Sequence, residues 1–443
     1  MKKMPRKDGS GQRLWKKAKT LIPGGNQLLS KRAEMFLPEY WPAYYSEAKG
    51  AYIWDLDGRK YLDFSIMAVG ACALGYADPD VNRAVIAAVK RGSNTTLNVP
   101  EEVELAELLI KIHPWADMVR YARTGGESMA IAARIARAYT GRDIIAFCGY
   151  HGWADWYLAT NLKDPKGLND HLLAGLEPKG VPRGLRGTIL PFHYNKIGEL
   201  EKIVRENKGK IAAIIMEPIH SEEPKDGFLQ QVQKIANSIG AVLVFDEITV
   251  GWKLTLGGAH LLYGVKPDMA IFGKATSNGY PMGAIIGKRK IMQAAQETFI
   301  SSSYWTEAIG PVAALATIKK MKKVNLPAHF RKIATGVAGA WKDAAKKHGL
   351  PIQVSANLAI LTFTLTGTDS QAAKTLFVQE MLKRGYLASN IFYASLAHTN
   401  AHVKKYARAV DEVFSIIARA RHAGGVKKFL KGPVAHSGFQ RLN

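Results

Sequence analysis

The sequence predicts an α/β protein with a large, mostly parallel sheet domain and a second, smaller α+β domain. Three observations point to this fold class. Between residues 117 and 290, short apolar segments alternate with helical ones, which is typical of a parallel sheet covered by helices on both faces. The length of 443 residues exceeds what one simple core usually holds. A hairpin motif before this region and a strand with helices after it indicate the smaller domain.

The N-terminal segment is basic and helix-like until a turn signal in "IPGGNQ". A β-hairpin is predicted next, at 50–64, because an Asp-Gly pair separates two alternating apolar runs in "GAYIWDLDGRKYLDF". Two amphipathic helices follow in "PDVNRAVIAAVKRG" and "PEEVELAELLIKIHP", each with proline near its start and Gly or Pro at its end. We expect residues 1–70 to complete the small domain.

The central region supplies the strands of the predicted sheet, in "DIIAFCG", "IAAIIMEP", "AVLVFDE", "DMAIFGK" and "GAIIGK". Helical segments such as "ESMAIAARIARAYTG" and "FLQQVQKIANSIG" precede or separate them. We expect this large domain to span 71–315. The chain then turns helical again and contains the strand "NLAILTFTLTG", so residues 316–443 are expected to form the rest of the small domain.

The chain is strongly basic, with 61 Lys+Arg against 37 Asp+Glu and a net charge of +24. The basic residues are scattered in small groups and no nucleic-acid-binding motif accompanies them, which argues against nucleic acid as a partner. A solvated basic surface that gathers an anionic substrate explains the charge as well.

Several features favour the cytoplasm. No apolar run approaches the roughly 20 residues of a membrane span, and the basic N-terminus lacks the apolar region of a secretory signal. Cys72 and Cys148 are the only cysteines, and their spacing is not that of metal ligands. We therefore expect a cytoplasmic protein with no membrane segment and no metal site.

Chemically active side chains follow four of the predicted strands: Tyr150 and His151, Glu217, Asp246 and Lys274. In open α/β sheets, ligands bind beyond the carboxyl ends of the strands, so these groups are expected to converge. One acid after a strand is more often a helix cap or a structural ion pair. The combination is what indicates a site.

A possible anion site precedes them, where Thr124, Gly125 and Gly126 begin a predicted helix. Glycines there let backbone N–H groups approach an anion, and the helix dipole assists. The same pattern also describes an ordinary helix cap, with Thr124 as N-cap and Glu127 in the first turn. Both interpretations stay open for this motif alone.

Lys274 ends a buried strand, where an unpaired ammonium group would be costly. A Schiff base with an aldehyde cofactor removes that charge, which suggests pyridoxal 5′-phosphate (PLP). This cofactor needs an anion at its pyridinium nitrogen, a phosphate cup and flat packing on both ring faces. Asp246 supplies the anion, Tyr150 and Ile248 supply the two faces, and residues 124–126 supply the cup.

The motif order "TGGES … CGYHG … MEP … FDEITVGW … FGKATSNGYPMGA … SSYWTEA" resembles the class III aminotransferases, a fold-type I PLP family. Within that family it is most similar to the glutamate-1-semialdehyde 2,1-aminomutase group, over nearly the whole chain. The resemblance implies that Lys274 is the Schiff-base lysine and proton-transfer group. Asp246 would pair with the pyridine nitrogen, and Glu217 would be a supporting acid.

The resemblance also implies that the amides of Gly125 and Gly126 bind the phosphate, and that Tyr150 and Ile248 sandwich the ring. Ser303 would reach the phosphate held by a partner subunit, which implies a homodimer with shared active sites. For His151, a cofactor contact and a merely packed neighbour both remain open.

The chain departs from the aminomutase group mostly around the substrate. Ala68 and Val69 stand where that group has Ser-Trp, and Lys253 replaces an arginine. A Phe-Glu pair expected before "SLAHT" is missing, and Gly126 removes a hydroxyl from the phosphate loop. The segments "ARTGGES", "FCGYHGWADWYLA" and "GPVAHSGFQRLN" are instead similar to amino-sugar aminotransferases that act on an 8-aldehyde of a 3-deoxy-octulosonate.

Three hypotheses follow. The first is an aminotransferase that moves the amino group of glutamate to an aldehyde of a carboxylated, sugar-like substrate. The alternative is a glutamate-1-semialdehyde 2,1-aminomutase. The third is a basic nucleic-acid-binding protein on a degenerate enzyme scaffold, against which the presence of Lys274, Asp246 and Tyr150 counts.

Overall fold

A computed structural model describes residues 4–171, 174–440 and 442. They form two compact units, taken in turn below. The large unit is Pro79–Pro327, and the small unit combines the described parts of Met1–Asp78 and Ala328–Asn443. The domain bounds expected at 70 and 315 stay a prediction.

The N-terminal part of the small unit contains the predicted hairpin. Its elements are α1 (Ser10–Leu21), β1 (Tyr45–Lys49), β2 (Tyr52–Asp55), β3 (Lys60–Phe64) and α2 (Met67–Gly70). The strands β2 and β3 pair antiparallel, which confirms the hairpin, and β1 adds a strand that the sequence analysis did not predict. The turn is closed by the Asp55 carboxylate, which accepts hydrogen bonds from the backbone N–H groups of Asp57 and Arg59.

The element α2 is a left-handed turn rather than an ordinary helix. Met67, Ala68, Val69 and Gly70 have φ values of 38°, 53°, 58° and 74°. Left-handed backbone costs an L-residue roughly 1–2 kcal/mol, and a β-branched residue such as Val69 is rarely found there. This strained turn lies at the two positions where the chain departs from the Ser-Trp of the aminomutase group.

The large unit is built on a central sheet. Its helices are α3 (Pro79–Arg91), α4 (Pro100–Ile112), α5 (Gly125–Thr140), α6 (Asp155–Leu158), α7 (Thr160–Lys163), α8 (Ile197–Glu206), α9 (Phe228–Ile239), α10 (Arg289–Met292) and α11 (Ile309–Lys323). Its strands are β4 (Met118–Ala122), β5 (Ile144–Cys148), β6 (Ile189–Pro191), β7 (Ile211–Met216), β8 (Val242–Asp246), β9 (Met269–Phe272) and β10 (Gly283–Gly287).

Within the described residues this sheet has seven strands, in the order β4-β10-β9-β8-β7-β5-β6. The neighbours from β9 to β6 run parallel, whereas β10 is antiparallel to both β9 and β4. The predicted mostly parallel sheet is confirmed. Two of its strands, β4 and β6, were not predicted from the sequence.

Both faces of the sheet are covered. Alternate residues of β5 enter different hydrophobic clusters, because side chains of a strand point to opposite faces in turn. Ile145 and Phe147 pack in the cluster that contains the α5 residues, and Ala146 and Cys148 pack in the cluster that contains the α9 residues. A strand buried on both sides explains why the sequence shows continuous apolar runs here.

The C-terminal part of the small unit contributes α12 (Leu326–Lys347), β11 (Ile352–Val354), β12 (Leu361–Leu365), α13 (Ser370–Lys383), β13 (Tyr386–Ala388), β14 (Ile391–Phe392) and α14 (Asn400–His422). Strand β13 pairs parallel with β3, so the two ends of the chain share one sheet. A second sheet has the order β11-β12-β14. No helix in the described part of the chain is long and apolar enough to cross a bilayer.

Candidate active site

Four of the chemically active positions lie at one edge of the central sheet. Strands β9, β8, β7 and β5 are consecutive parallel neighbours, so their carboxyl ends lie side by side. Asp246 is the last residue of β8, while Lys274, Glu217 and Tyr150 follow β9, β7 and β5 within two residues. The strand order therefore brings these side chains to the same region, as the sequence analysis expected.

Asp246 and His151 form a buried pair. Their Oδ2 and Nδ1 atoms lie 2.8 Å apart, and the Asp246 Oδ1 atom accepts a hydrogen bond of 3.0 Å from the Ile248 N–H. The Nε2 atom of His151 lies 3.1 Å from the Cys148 carbonyl oxygen. A carbonyl only accepts, so Nε2 carries a hydrogen and a further proton lies between His151 and Asp246.

Burial raises the pKa of Asp246, and the hydrogen bond and charge of His151 act against that shift. His151 therefore favours the ionised form of the carboxylate. It contacts Asp246 directly, so it is more than a neighbour packed nearby.

Lys274 starts a short 3₁₀ helix, Lys274–Ser277, with a positive φ of 45°. Its Nζ atom donates to the Thr249 hydroxyl at 2.7 Å. Burial lowers the pKa of Lys274, although the charges of Asp246 and Glu217 oppose this. The result is an amine closer to its neutral, nucleophilic form than a surface lysine is.

Thr249 also accepts a hydrogen bond from a second lysine. Lys253 is completely buried, and its Nζ atom donates to the Thr249 carbonyl oxygen at 2.6 Å. Burial, with the charge of Lys274 adding to it, holds the pKa of Lys253 well below its ordinary value. The sequence analysis missed Thr249, and the only signal was its place three residues after Asp246.

Ile248 is held between two glycines. A methyl group built on Gly125 would lie 3.1 Å from the Ile248 Cδ1 atom, and one built on Gly273 would lie 3.4 Å from its Cγ2 atom. Ile248 therefore occupies the space between the start of α5 and the residue that precedes Lys274. A side chain at Gly125 would press against Ile248, whereas a methyl group at Gly273 would only reach ordinary van der Waals contact with it.

Glu217 has its own partners. Its Oε2 atom lies 2.9 Å from the His220 Nδ1 atom. Burial would raise the pKa of Glu217, but the hydrogen bond and charge of His220 outweigh burial, and the pKa is lowered. Gly149, with a φ of 113°, lets the carboxylate approach: a methyl group there would lie 2.6 Å from Oε2. His220 and Gly149 were not singled out from the sequence.

Tyr150 is 36% exposed, and its ring meets the ring of Tyr157 edge-on, with centroids 6.1 Å apart. Burial, followed by the charge of Asp246, raises the pKa of Tyr150. The phenol therefore stays protonated.

The start of α5 is a full capping box. The Thr124 hydroxyl accepts from the Glu127 N–H at 3.4 Å, and the Glu127 carboxylate accepts from the Thr124 N–H at 2.9 Å. The cap interpretation is thus confirmed. It leaves the amides of Gly125 and Gly126, which have no carbonyl partner inside the helix, for an anion.

Ser303 does not join this group. It is exposed in a short 3₁₀ helix, Ser303–Thr306, and no hydrogen bond connects it to Lys274 or Asp246 in the part of the chain that the structure describes. Arg123 anchors this segment by donating to the carbonyl oxygens of Trp305 and Glu307, both at 3.0 Å.

Glu247, the acid next to Asp246, has a structural role. Its carboxylate accepts from the backbone N–H groups of Ala259 and His260 at 2.8 and 3.0 Å, and from the His260 ring at 2.7 Å. It is completely buried and holds the 3₁₀ helix Ala259–Tyr263 in place.

The family model described as Aminotransferase class-III matches residues 38–417. Among curated proteins, the chain is 36% identical to the 3-aminobutyryl-CoA aminotransferase of Cloacimonas acidaminovorans (strain Evry), over 70% of this chain and 72% of that protein. It is 33% identical to a glutamate-1-semialdehyde 2,1-aminomutase of Heliobacterium modesticaldum, over 94% of this chain and 99% of that protein.

Among solved structures, the chain is similar to the PLP internal aldimine form of the FumI protein from Sphingopyxis sp. MTA144. The TM-score is 0.84 at 24% identity, and the match covers 95% of this chain and 99% of that one. A likeness at this identity shows a shared fold.

Proposed function

This chain belongs to the class III aminotransferase family, and on that premise we propose that it transfers the amino group of glutamate to an aldehyde of a carboxylated, sugar-like substrate. The enzyme uses PLP. The observation that carries the proposal is the Lys274 amine, held by the Thr249 hydroxyl at 2.7 Å at the sheet edge where Asp246 and Glu217 also lie, with its pKa lowered by burial. An anionic acceptor also agrees with the net charge of +24.

The residues present fit the cofactor by their chemistry. Its aldehyde requires an amine, its ring nitrogen an anion and its phosphate a cluster of N–H donors. A side chain on Gly125 or Gly126 would meet Ile248 or Trp153, so both glycines let these neighbours pack directly on the helix start. The proposed binding set is Thr124, Gly125, Gly126, Tyr150, His151, Asp246, Ile248 and Lys274, with Ser303 of a second chain.

When bound, PLP supplies an electron-withdrawing ring that stabilises negative charge on the carbon bearing the amino group. Asp246 would hold the ring nitrogen in its protonated form, and His151 would keep Asp246 ionised. Lys274 would carry the reacting proton at Nζ, since its lowered pKa makes the amine release a proton more readily than a surface lysine does.

Thr249 and Glu217 would support this proton transfer. The Thr249 hydroxyl fixes the direction of the Lys274 side chain through the 2.7 Å hydrogen bond. Glu217 adds negative charge near Lys274 and limits the fall in its pKa. The amine would then stay reactive yet able to hold a proton.

We propose a homodimer, because an exposed Ser303 needs a second subunit to serve a phosphate site. The same segment exposes large apolar side chains, Phe299 at 84% and Tyr304 at 72%. Leu97 is also 79% exposed. It follows Ser93, whose carbonyl oxygen accepts a 2.8 Å hydrogen bond from the Ala308 N–H, and this bond links the segment of Leu97 to the segment of Ser303. Apolar surface of this kind commonly marks a protein interface.

We also assign the enzyme to the cytoplasm. The support is that Cys72 and Cys148 are both free and buried, which suits a reducing compartment.

A glutamate-1-semialdehyde 2,1-aminomutase is the second candidate, favoured by the 33% identity that extends over 94% of the chain. Such an enzyme rearranges one substrate and needs no external amino donor. Release of a keto acid from glutamate separates the two functions.

The test is the visible absorbance of the PLP-loaded protein before and after glutamate, with Lys274→Ala as control. We expect glutamate to bleach the wild-type band and release 2-oxoglutarate, and the variant to do neither. A band that glutamate leaves unchanged would favour the aminomutase or another donor. The same spectrum for wild type and Lys274→Ala would contradict the role of Lys274.

A further inference from the structure

Trp153 is an exposed aromatic residue next to the proposed phosphate site. It lies in the loop between β5 and α6, and 68% of its surface is exposed. Its indole N–H donates no hydrogen bond to any residue that the structure describes. An indole nitrogen is a donor only, so this group is available to an acceptor from outside the chain.

The polar edge of the Trp153 ring faces Gly126. A methyl group built on Gly126 would lie 2.6 Å from the Trp153 Nε1 atom and 2.8 Å from its Cδ1 atom. Gly126 is absent from the positive-φ glycines, so its backbone would accept a side chain. What excludes one is the indole, which takes the place of a side chain at the second residue of α5.

The loop that carries Trp153 is held in position. Gly152 packs so closely on the helix start that a methyl group there would lie 3.1 Å from the Gly126 Cα atom. At the start of the same loop, the Gly149 carbonyl oxygen accepts a 2.9 Å hydrogen bond from the Tyr157 hydroxyl, and His151 is hydrogen-bonded to Asp246. The position of Trp153 is therefore tied to the same contacts that organise the rest of the site.

We propose that the Trp153 indole N–H is a ligand of the cofactor phosphate, in place of the side-chain hydroxyl that Gly126 lacks. This inference rests on the proposed function. A phosphate offers several strong acceptor oxygens, and the helix start of α5 favours the anion at this point. The free donor next to Gly126 adds a side-chain hydrogen bond to those of the backbone amides.

The test compares PLP with pyridoxal, which lacks the phosphate, in absorbance titrations of the full-length apoenzyme. Trp153→Phe keeps the ring but removes the N–H. We expect it to weaken PLP binding about tenfold, as loss of a hydrogen bond to a charged group does, and to leave pyridoxal binding unchanged. The control is Trp54→Phe in the small unit, which should change neither.

A double substitution tests the exchange of donors. Trp153→Ala should weaken PLP binding, and adding Gly126→Ser should restore part of it, because the hydroxyl then has room. Gly126→Ser alone should weaken binding, since its Cβ would meet the indole.

The proposal is overturned if Trp153→Phe changes the affinity for PLP and pyridoxal equally, or changes neither. It is also overturned if Gly126→Ser gives no rescue. Wild-type protein that binds no PLP at all would instead overturn the proposed function.

Discussion

The Nδ1 atom of His151 lies 2.8 Å from the Oδ2 atom of Asp246, while its Nε2 atom lies 3.1 Å from the Cys148 carbonyl oxygen. The ring is thus fixed at both nitrogens, between a strand end and a buried carboxylate. An acid in such a place would gain a proton easily, because burial disfavours its charge. The imidazole counters this effect.

The first prediction concerns that balance. His151→Phe keeps a ring but removes the hydrogen bond and charge that lower the pKa of Asp246, so this pKa should rise. Asp246 would then gain its proton at higher pH, and the acid limb of the kcat profile should move to higher pH. Transaminase assays across the pH range would measure this, with the exposed His193→Phe as control. Superimposable profiles for His151→Phe and wild type would contradict it.

The second prediction concerns Lys253. Burial holds the pKa of Lys253 in the folded chain well below its ordinary value of 10.5. At pH values between the folded-state pKa and 10.5, the unfolded chain therefore binds more protons than the folded chain, and the free energy of unfolding should rise with pH. Lys253→Met removes the titrating amine and with it this dependence of stability on pH. We expect it to be about 1–3 kcal/mol more stable than wild type at pH 7, with the advantage shrinking towards pH 10.

Urea unfolding at several pH values would measure this difference. The matched control is Lys234→Met on the exposed side of α9, which should show no such pH dependence. A stability gain for Lys253→Met that stays constant with pH would contradict the prediction.

The third prediction concerns the left-handed turn. Ala68→Gly should raise the free energy of unfolding by about 0.5–1 kcal/mol, because relief of the strained φ of 53° exceeds the entropy cost of glycine. Ala71→Gly is the control, since Ala71 has an ordinary helical φ of −75° and should lose stability. Urea unfolding would measure the free energy of unfolding of both variants. If Ala68→Gly lost as much stability as Ala71→Gly, the turn would not be strained.

The fourth prediction concerns the dimer. Wild type should sediment with twice the mass of one chain, and Phe299→Glu should shift it towards the monomer by placing a charge in an apolar interface. PLP affinity should fall with it, because Ser303 would lose its phosphate. Leu262→Glu, another exposed apolar position of the large unit, is the control. A monomeric wild type with full PLP affinity would contradict both the dimer and the role of Ser303.

Much of the large unit could be predicted from the sequence. The apolar runs that alternate with helical segments in 117–290 indicate strands buried on both faces. They predicted the mostly parallel sheet, which the structure confirmed. Strand β4 was missed because its residues are only half-buried, apart from Ala122, and include Arg120. Strand β6 was missed because it has only three residues and ends in proline.

By itself, the sequence determined the family, the cofactor and which side chains follow each strand, since these are local patterns along the chain. Only the tertiary structure decided the partners: His151 on Asp246, Thr249 between Lys274 and Lys253, and Trp153 against Gly126. The physical reason is that strand order and loop packing set these distances. They depend on contacts between segments far apart in sequence, which no local periodicity records.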